Sequence, residues 1–472
     1  MTTTPSFTAE AGWESLRSLV GLEFDQAAQE GKIPDGLKKL RAEFDSAPDD
    51  SRILEELHAR ILALPMREDF PFEEPSDLEG IRRLRPAPVA LPAMDWDSGR
   101  LADQLHGAWL GRCCGCALGK PVEHYMRKQG GLESWEMQKV YLTAISPDEW
   151  PLRDYVPAHS PAEDKTGRLI CPDSTREQIR FMETDDDIRY TVLGQILLRE
   201  KGKSFTTADV AHGWFEHLPY RHVCTAETQA YRNLVALGVR NYSKDSRDAI
   251  DWNWVVTRLN PYREWIGAQI RIDSYGYGAP GNPELAAEWA WHDARLSHVK
   301  NGIYGAMFCA AMIAASFATS NPRLIIQAGL SQIPKTSRLH AEMLQTIAIC
   351  DRYGCDFNAF ESVIRDIYAL LGHYHPVHTN NNAALCVAAL LLSNGDFHKG
   401  ITFAVMGGWD SDCNGATVGS MVGAIAGAGN APTHWTARLN NTLKSHIIGY
   451  DPIAISECAA RSLEIAHKIR KE

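Results

Sequence analysis

Apolar residues recur at helical spacing along most of the chain, and no hairpin dipeptides sit between alternating β-branched runs. Trp13, Leu16, Val20 and Phe24 fall on one face of a predicted N-terminal helix, and a second is predicted over 51–64. The Pro-rich, acidic stretch 65–92 then breaks regular structure and reads as a linker or wrapping arm. From about 97 to 429 the chain is rich in Gly and Ala with helical periodicity. Ile188, Val192 and Ile196, flanked by Leu193 and Leu197, make one apolar stripe. Gly415, Gly419, Gly423 and Gly427 make a stripe of another kind. Each Gly inside a helix costs about 1 kcal/mol relative to Ala, so four on one face predict that another backbone approaches closely there. Stretch 147–173 carries five prolines and little periodicity, and a loop this long inside a compact domain is usually functional or mobile. The tail after Pro452 predicts a final helix whose basic end, 467–471, suits the negative pole of its dipole. The expected fold is all-α: a compact multi-helix domain over 97–472, with a helical N-terminal extension and Pro-rich linker over 1–96.

Composition narrows the partners. The 472 residues carry 59 acidic and 48 basic side chains, a formal charge of −11, with no Lys/Arg stripe, which disfavours nucleic acid. The most apolar stretches, 303–318 and 416–428, fall short of the roughly 20 residues a bilayer span needs, so no membrane partner is expected. The N-terminus lacks a basic region followed by an apolar run, so no signal peptide is expected. The 11 cysteines show no zinc-type pairing, and most lie in apolar segments, which points to a reducing cytoplasm. Nothing in the sequence sets the oligomeric state.

The candidate chemistry lies in two acidic helix starts. Thr184-Asp185-Asp186-Asp187 precedes the apolar helix that begins near Ile188, and Asp410-Ser411-Asp412 opens the glycine-striped helix. Helix capping explains one Asp at each start, worth about 1 kcal/mol. It does not explain three in succession. Carboxylates and a Thr hydroxyl are hard oxygen donors, suited to Mg²⁺, Mn²⁺ or Ca²⁺ and poorly suited to zinc. If the two starts come together, four or five carboxylates share one spot, and two divalent ions would turn a repulsive cluster into a binuclear centre.

Three motifs, in order, resemble the ADP-ribosylglycohydrolase family over about 107–435. The first is Gly115-Cys116-Ala117-Leu118-Gly119-Lys120-Pro121-Val122-Glu123, similar to the family's Gly-Asp-Ala-Leu-Gly-x-Pro-x-Glu. The second is Thr184-Asp185-Asp186, and the third is Asp410-Ser411-Asp412. The resemblance implies an all-α hydrolase with two Mg²⁺ or Mn²⁺ ions that cleaves the bond from ribose C1″ to nitrogen or oxygen and releases ADP-ribose from a modified acceptor. It assigns Thr184, Asp185, Asp186, Asp410 and Asp412 as metal ligands, and Glu123, Asp186 and Asp410 as the candidate catalytic carboxylates. His298, in Ser297-His298, is similar to the family's Thr/Ser-His element. Cys116 stands where the family has Asp, Asp187 where it usually has Thr, and Cys413 where a Thr often adds a metal oxygen. A neutral thiol is a poor donor to Mg²⁺, so these departures bear on the second ion. Trp409, Cys413-Asn414 and His378-Thr379-Asn380-Asn381-Asn382 resemble a divergent bacterial branch of that family.

Further candidates line a substrate pocket. His378 and Asn382 are read as a polar wall, Tyr275 and Tyr277 as stacking residues on a Gly/Tyr loop over 271–281, Asn301 as a polar contact after His298, and Trp409 as a neighbour of the acidic pair. His373, His375 and His378 also raise a second metal site, which Pro376 argues against. An acyl-enzyme is disfavoured, since no Gly-x-Ser-x-Gly elbow is present. Two alternatives stay open: a ribosidase for a small nucleoside-like compound, and an inactive ligand-binding relative.

Overall fold

The computed structural model describes residues 14–96, 99–238 and 250–472. The predicted position Trp13 and the expected domain boundary at 97 lie outside them. The architecture is all-α, apart from a two-stranded antiparallel ribbon that pairs Thr442 with Ala454 and Leu443 with Ile453.

Three N-terminal helices form a small bundle: α1 (Leu16–Gln29), α2 (Pro34–Ser46) and α3 (Ser51–Leu62). The sequence pattern had resolved only the first and last. Leu19, Val20 and Phe24 of α1 pack with Leu54, Leu57 and Ile61 of α3, and that cluster continues into Tyr262 and Trp265 of the main body. Arg263, buried between these two aromatic residues in sequence, is held by Glu23 at 2.7 Å and Glu30 at 2.7 Å, both from α1. The arm that follows runs across the main body and includes a short helix, Leu78–Leu84. Glu74 on this arm pairs with Arg338 at 2.8 Å.

The central packing is a helix pair, α4 (Arg100–Gly119) against α5 (Ser411–Ala426). The glycine stripe on α5 meets a matching stripe on α4. A Cβ on Gly111 would lie 2.0 Å from the Gly419 carbonyl oxygen, and one on Gly115 would lie 1.9 Å from that of Gly415. The pairing runs antiparallel, from Gly107 beside Gly423 to Gly119 beside Ser411. It therefore brings the C-terminal end of α4 against the N-terminal end of α5. The apolar stretch after Asn301 forms Lys300–Ser316, buried along nearly its whole length. No helix among the described residues is long and apolar enough to cross a membrane.

One expectation is corrected here. Stretch 271–281 is not a Gly/Tyr loop: Ile266–Arg271 is a 3-10 helix and Asp273–Gly278 an α-helix. Its glycines serve close packing instead, Gly276 against Ile313 and Gly278 against Leu198.

Candidate active site

Four segments converge where α4 and α5 end. Gly119 closes α4, and the chain turns at once into a 3-10 helix, Lys120–Tyr125, that carries Lys120 and Glu123. Ser411 Oγ donates to the Gly119 carbonyl at 3.0 Å and locks the two helix ends together. Before α5, the turn Gly408-Trp409 has φ of +74° and +51°. The left-handed region costs a non-glycine residue about 1–2 kcal/mol. At Trp409 it is held by a hydrogen bond from the backbone N–H to Ser134 Oγ (2.9 Å) and by stacking of the indole on Tyr368 at 4.0 Å. Asn382 then accepts from the Asp410 backbone N–H (3.2 Å) and from Asn414 Nδ2 (2.8 Å). This turn aims Asp410 and Asp412 inward.

The other acidic segment opens α6 (Asp186–Lys201). Asp185 is its N-cap, and Asp185 Oδ1 accepts from the Asp187 backbone N–H at 3.1 Å. Capping thus accounts for one oxygen of one carboxylate. The other, Oδ2, lies 2.5 Å from Lys120 Nζ, which also donates to the Thr184 carbonyl at 2.9 Å. Asp187 points away from Asp186 into the core, where buried Arg112 pairs with it at 3.1 Å and with Asp273 at 2.9 Å. The third Asp of the run therefore anchors α4 to α6.

The structure brings five of the expected residues together: Glu123, Asp185, Asp186, Asp410 and Asp412. Cys116, Asp185, Asp187 and Asp412 each offer a ligand atom within 4.8 Å of the others, and so, as a second group, do Asp410, Asp412 and Cys413. Asp410 and Asp412 are 3% and 2% exposed, and Oδ1 of each has no hydrogen-bond partner. A buried carboxylate oxygen without a partner is costly. Burial, and then Asp412 and Glu123, push Asp410 well above the usual carboxylate range. Burial and Asp185 push Asp186 up to about 8 and Asp412 up to about 6. Burial pushes Glu123 up as well, reinforced by Asp412, Asp185 and Asp186. Burial also acts to raise Asp185, but Lys120 outweighs it and holds this carboxyl well below the usual range. The cluster is short of positive charge, and its cavity-facing donors are hard carboxylate oxygens apart from the Cys413 thiol, so the carboxylates fit a hard divalent cation.

A cavity of about 400 Å³ opens above the cluster. Glu123, Asp186, Asp410 and Cys413 lie along it, and Tyr262, Trp265 and His375 form an aromatic wall. Trp265 and His375 stack at 4.0 Å with planes 10° apart. The volume falls in the range of small-ligand sites.

The remaining predicted residues are placed elsewhere. Thr184 is half-buried, with its hydroxyl accepting from Arg189 at 3.1 Å. Tyr275 donates to Asp293 and stacks on Phe205, and Tyr277 bonds Ser420; both are fully buried and neither lines this cavity. His298 is buried against Ser297 Oγ at 2.8 Å. Asn301 bonds Glu74 and Glu264. His378 caps the helix Thr379–Ser393 through Nδ1 and stacks on Tyr374, while Asn382 supports the Asp410 turn. Trp409 acts from behind that turn. The three histidines of 373–378 take three different roles, with no shared metal geometry among the described residues. Sequence reading missed Lys120, Arg112 and the aromatic wall. Lys120 occupies the variable position of the Gly115–Glu123 motif.

A family model described as ADP-ribosylglycohydrolase matches residues 97–466. A solved structure, "ADP-ribosylglycohydrolase-related protein complex", is 17% identical, covering 79% of this chain and 100% of its own, with a TM-score of 0.47. No curated relative matches the chain.

Proposed function

Because this chain belongs to the ADP-ribosylglycohydrolase family, and is thereby a hydrolase of the glycosidase class, we propose that it cleaves a ribosyl C1″ N- or O-glycosidic bond with a divalent cation, Mg²⁺ or Mn²⁺, and releases ADP-ribose. The observation that carries this reading is the pair of buried, unpartnered oxygens on Asp410 and Asp412 beneath a cavity also lined by Glu123 and Asp186. A bound divalent ion supplies charge that holds substrate hydroxyls and raises the acidity of water.

The chain's own residues then divide the work. Glu123, half-buried on the 3-10 helix, exchanges the proton of the attacking water. Asp186 and Asp410 face the C1″ centre, where their negative charge stabilises the oxocarbenium character that develops as the bond breaks. The Trp265–His375 stack offers a flat face to the nucleotide base. Asn382 holds the Asp410 backbone in place from behind.

The test is release of ADP-ribose, followed by chromatography, from ADP-ribosyl-arginine and ADP-ribosyl-serine with Mg²⁺, Mn²⁺ or EDTA. Release that needs the cation supports the reading, and release unchanged by EDTA overturns the metal role. Free base or ribose from simple nucleosides, with no ADP-ribose from either compound, would move the substrate class to small ribosides.

A further inference from the structure

We propose that the Lys120 ammonium is a built-in cation of this centre, occupying the place of one divalent ion, so that the chain takes a single divalent ion on its cavity side. The inference rests on the metal-dependent reading above and deepens it.

The cluster has two sides. On the inner side lie Cys116, Asp185, Asp187 and Asp412, with ligand atoms within 4.8 Å of one another. A divalent ion there would need several hard oxygens, and three of the four residues do not supply one. Asp185 is used twice, with Oδ2 2.5 Å from Lys120 Nζ and Oδ1 accepting the Asp187 backbone N–H. Asp187 is paired with Arg112, itself fully buried and also bonded to Thr191 Oγ1 at 2.8 Å. Cys116 presents a soft sulfur in place of an oxygen, a poor match for a hard ion. Only Asp412 is left.

The cavity side is different. Asp410 Oδ1 and Asp412 Oδ1 are buried and unpartnered; Asp410, Asp186 and Glu123 line the cavity, and Asp412 lies beneath it beside Asp410. All four are oxygen donors with no basic side chain bonded to them; the Cys413 thiol beside Asp410 and Asp412 is the soft neighbour on this side, and the carboxylates outnumber it, so this side retains a site for one ion.

Lys120 itself is well seated for the task. Its side chain is 11% exposed, and its second hydrogen bond, to the Thr184 carbonyl, fixes the ammonium against the start of α6. An ammonium carries one charge and cannot activate water as a metal does. Its contribution is to hold Asp185, and through it the acidic segment, in position.

The experiment measures metal stoichiometry on the full chain. Protein dialysed against Mn²⁺ is analysed by elemental mass spectrometry, and the bound Mn²⁺ is examined by electron paramagnetic resonance for spin coupling between ions. One Mn²⁺ per chain with an uncoupled six-line spectrum supports the proposal. Two ions per chain, or a coupled spectrum, overturn it while leaving the metal-dependent reading intact. No bound ion overturns both. A second arm restores an inner site with the pair Lys120→Met and Cys116→Asp, checked for folding by circular dichroism. Stoichiometry rising from one to two in that variant supports the assignment. A folded variant that still binds one ion shows that Lys120 was not filling a cation position.

Discussion

Gly115 and Gly415 meet backbone to backbone. A Cβ on the first would lie 1.9 Å from the carbonyl oxygen of the second, and a Cβ on the second 2.4 Å from that of the first. Neither obstacle is a side chain that could rotate away. Gly115→Ala is therefore expected to force α4 and α5 apart, although Ala is the better helix former. Overpacking typically costs 1–3 kcal/mol and more where backbone is met, so a loss of about 3 kcal/mol is expected in a urea titration. An unchanged midpoint would contradict this packing.

Asp412→Asn keeps the shape of the side chain and removes its charge. In metal-free protein it is expected to raise Tm, because a carboxyl that burial and Asp185 push up to about 6 no longer has to ionise at neutral pH. Glycohydrolase activity is expected to fall by two orders of magnitude or more. Scanning calorimetry with and without Mn²⁺ reads both effects. A variant destabilised without metal would mean that the charge is already well compensated by the protein.

Glu23→Gln tests the link between the N-terminal bundle and the cavity. Arg263 is 2% exposed and takes both oxygens of Glu23, so the substitution leaves a buried guanidinium under-compensated. Breaking a buried pair in this way costs about 3–5 kcal/mol. Since Tyr262 and Trp265 flank Arg263 on the cavity wall, KM is expected to rise more than kcat falls. Calorimetry and steady-state kinetics on the variant would check both statements.

His378 predicts a pH effect on stability. Burial pushes its imidazole down to about 3, against an ordinary value of 6.5. A group depressed on folding contributes stability that is complete above its unfolded value and is lost as pH falls toward its folded one. The loss is thus expected from about pH 6.5 downward. His378→Asn retains a helix-capping side chain and should lose less stability than the parent between pH 6.5 and pH 4. Equal slopes in chemical denaturation across that window would rule the effect out.

The all-α fold was legible because helical periodicity survives even in buried segments such as Ile188, Val192 and Ile196. The carboxylate cluster was legible for a different reason: like charges in succession at two helix starts are hard to explain by capping alone. Asp185 shows the limit of that reasoning, since one of its oxygens is in fact a cap. The partner stripe, Gly107, Gly111, Gly115 and Gly119, has the same four-residue spacing as the stripe after Asp412. Gly115 and Gly119 also belong to the motif that ends at Glu123, which masks the stripe. Tyr275 and Tyr277 misled because glycines beside them suggested a loop, whereas those glycines admit Ile313 and Leu198 against a helix. Lys120 and Arg263 were beyond reach, as an ion pair across the fold leaves no periodic trace in the sequence.

The lock between Ser411 and Gly119 joins residues 292 positions apart. Closing so long a loop is entropically late, and contacts of high sequence separation slow folding. During synthesis, the helix Arg100–Gly119 emerges long before its counterpart and must wait with its glycine face uncovered. A chain that stops between Asp187 and Asp410 would carry Glu123 and the Asp185 segment yet lack the helix that closes the site. The centre is accordingly one of the last features the chain can complete, and premature termination would leave a fragment with no working half.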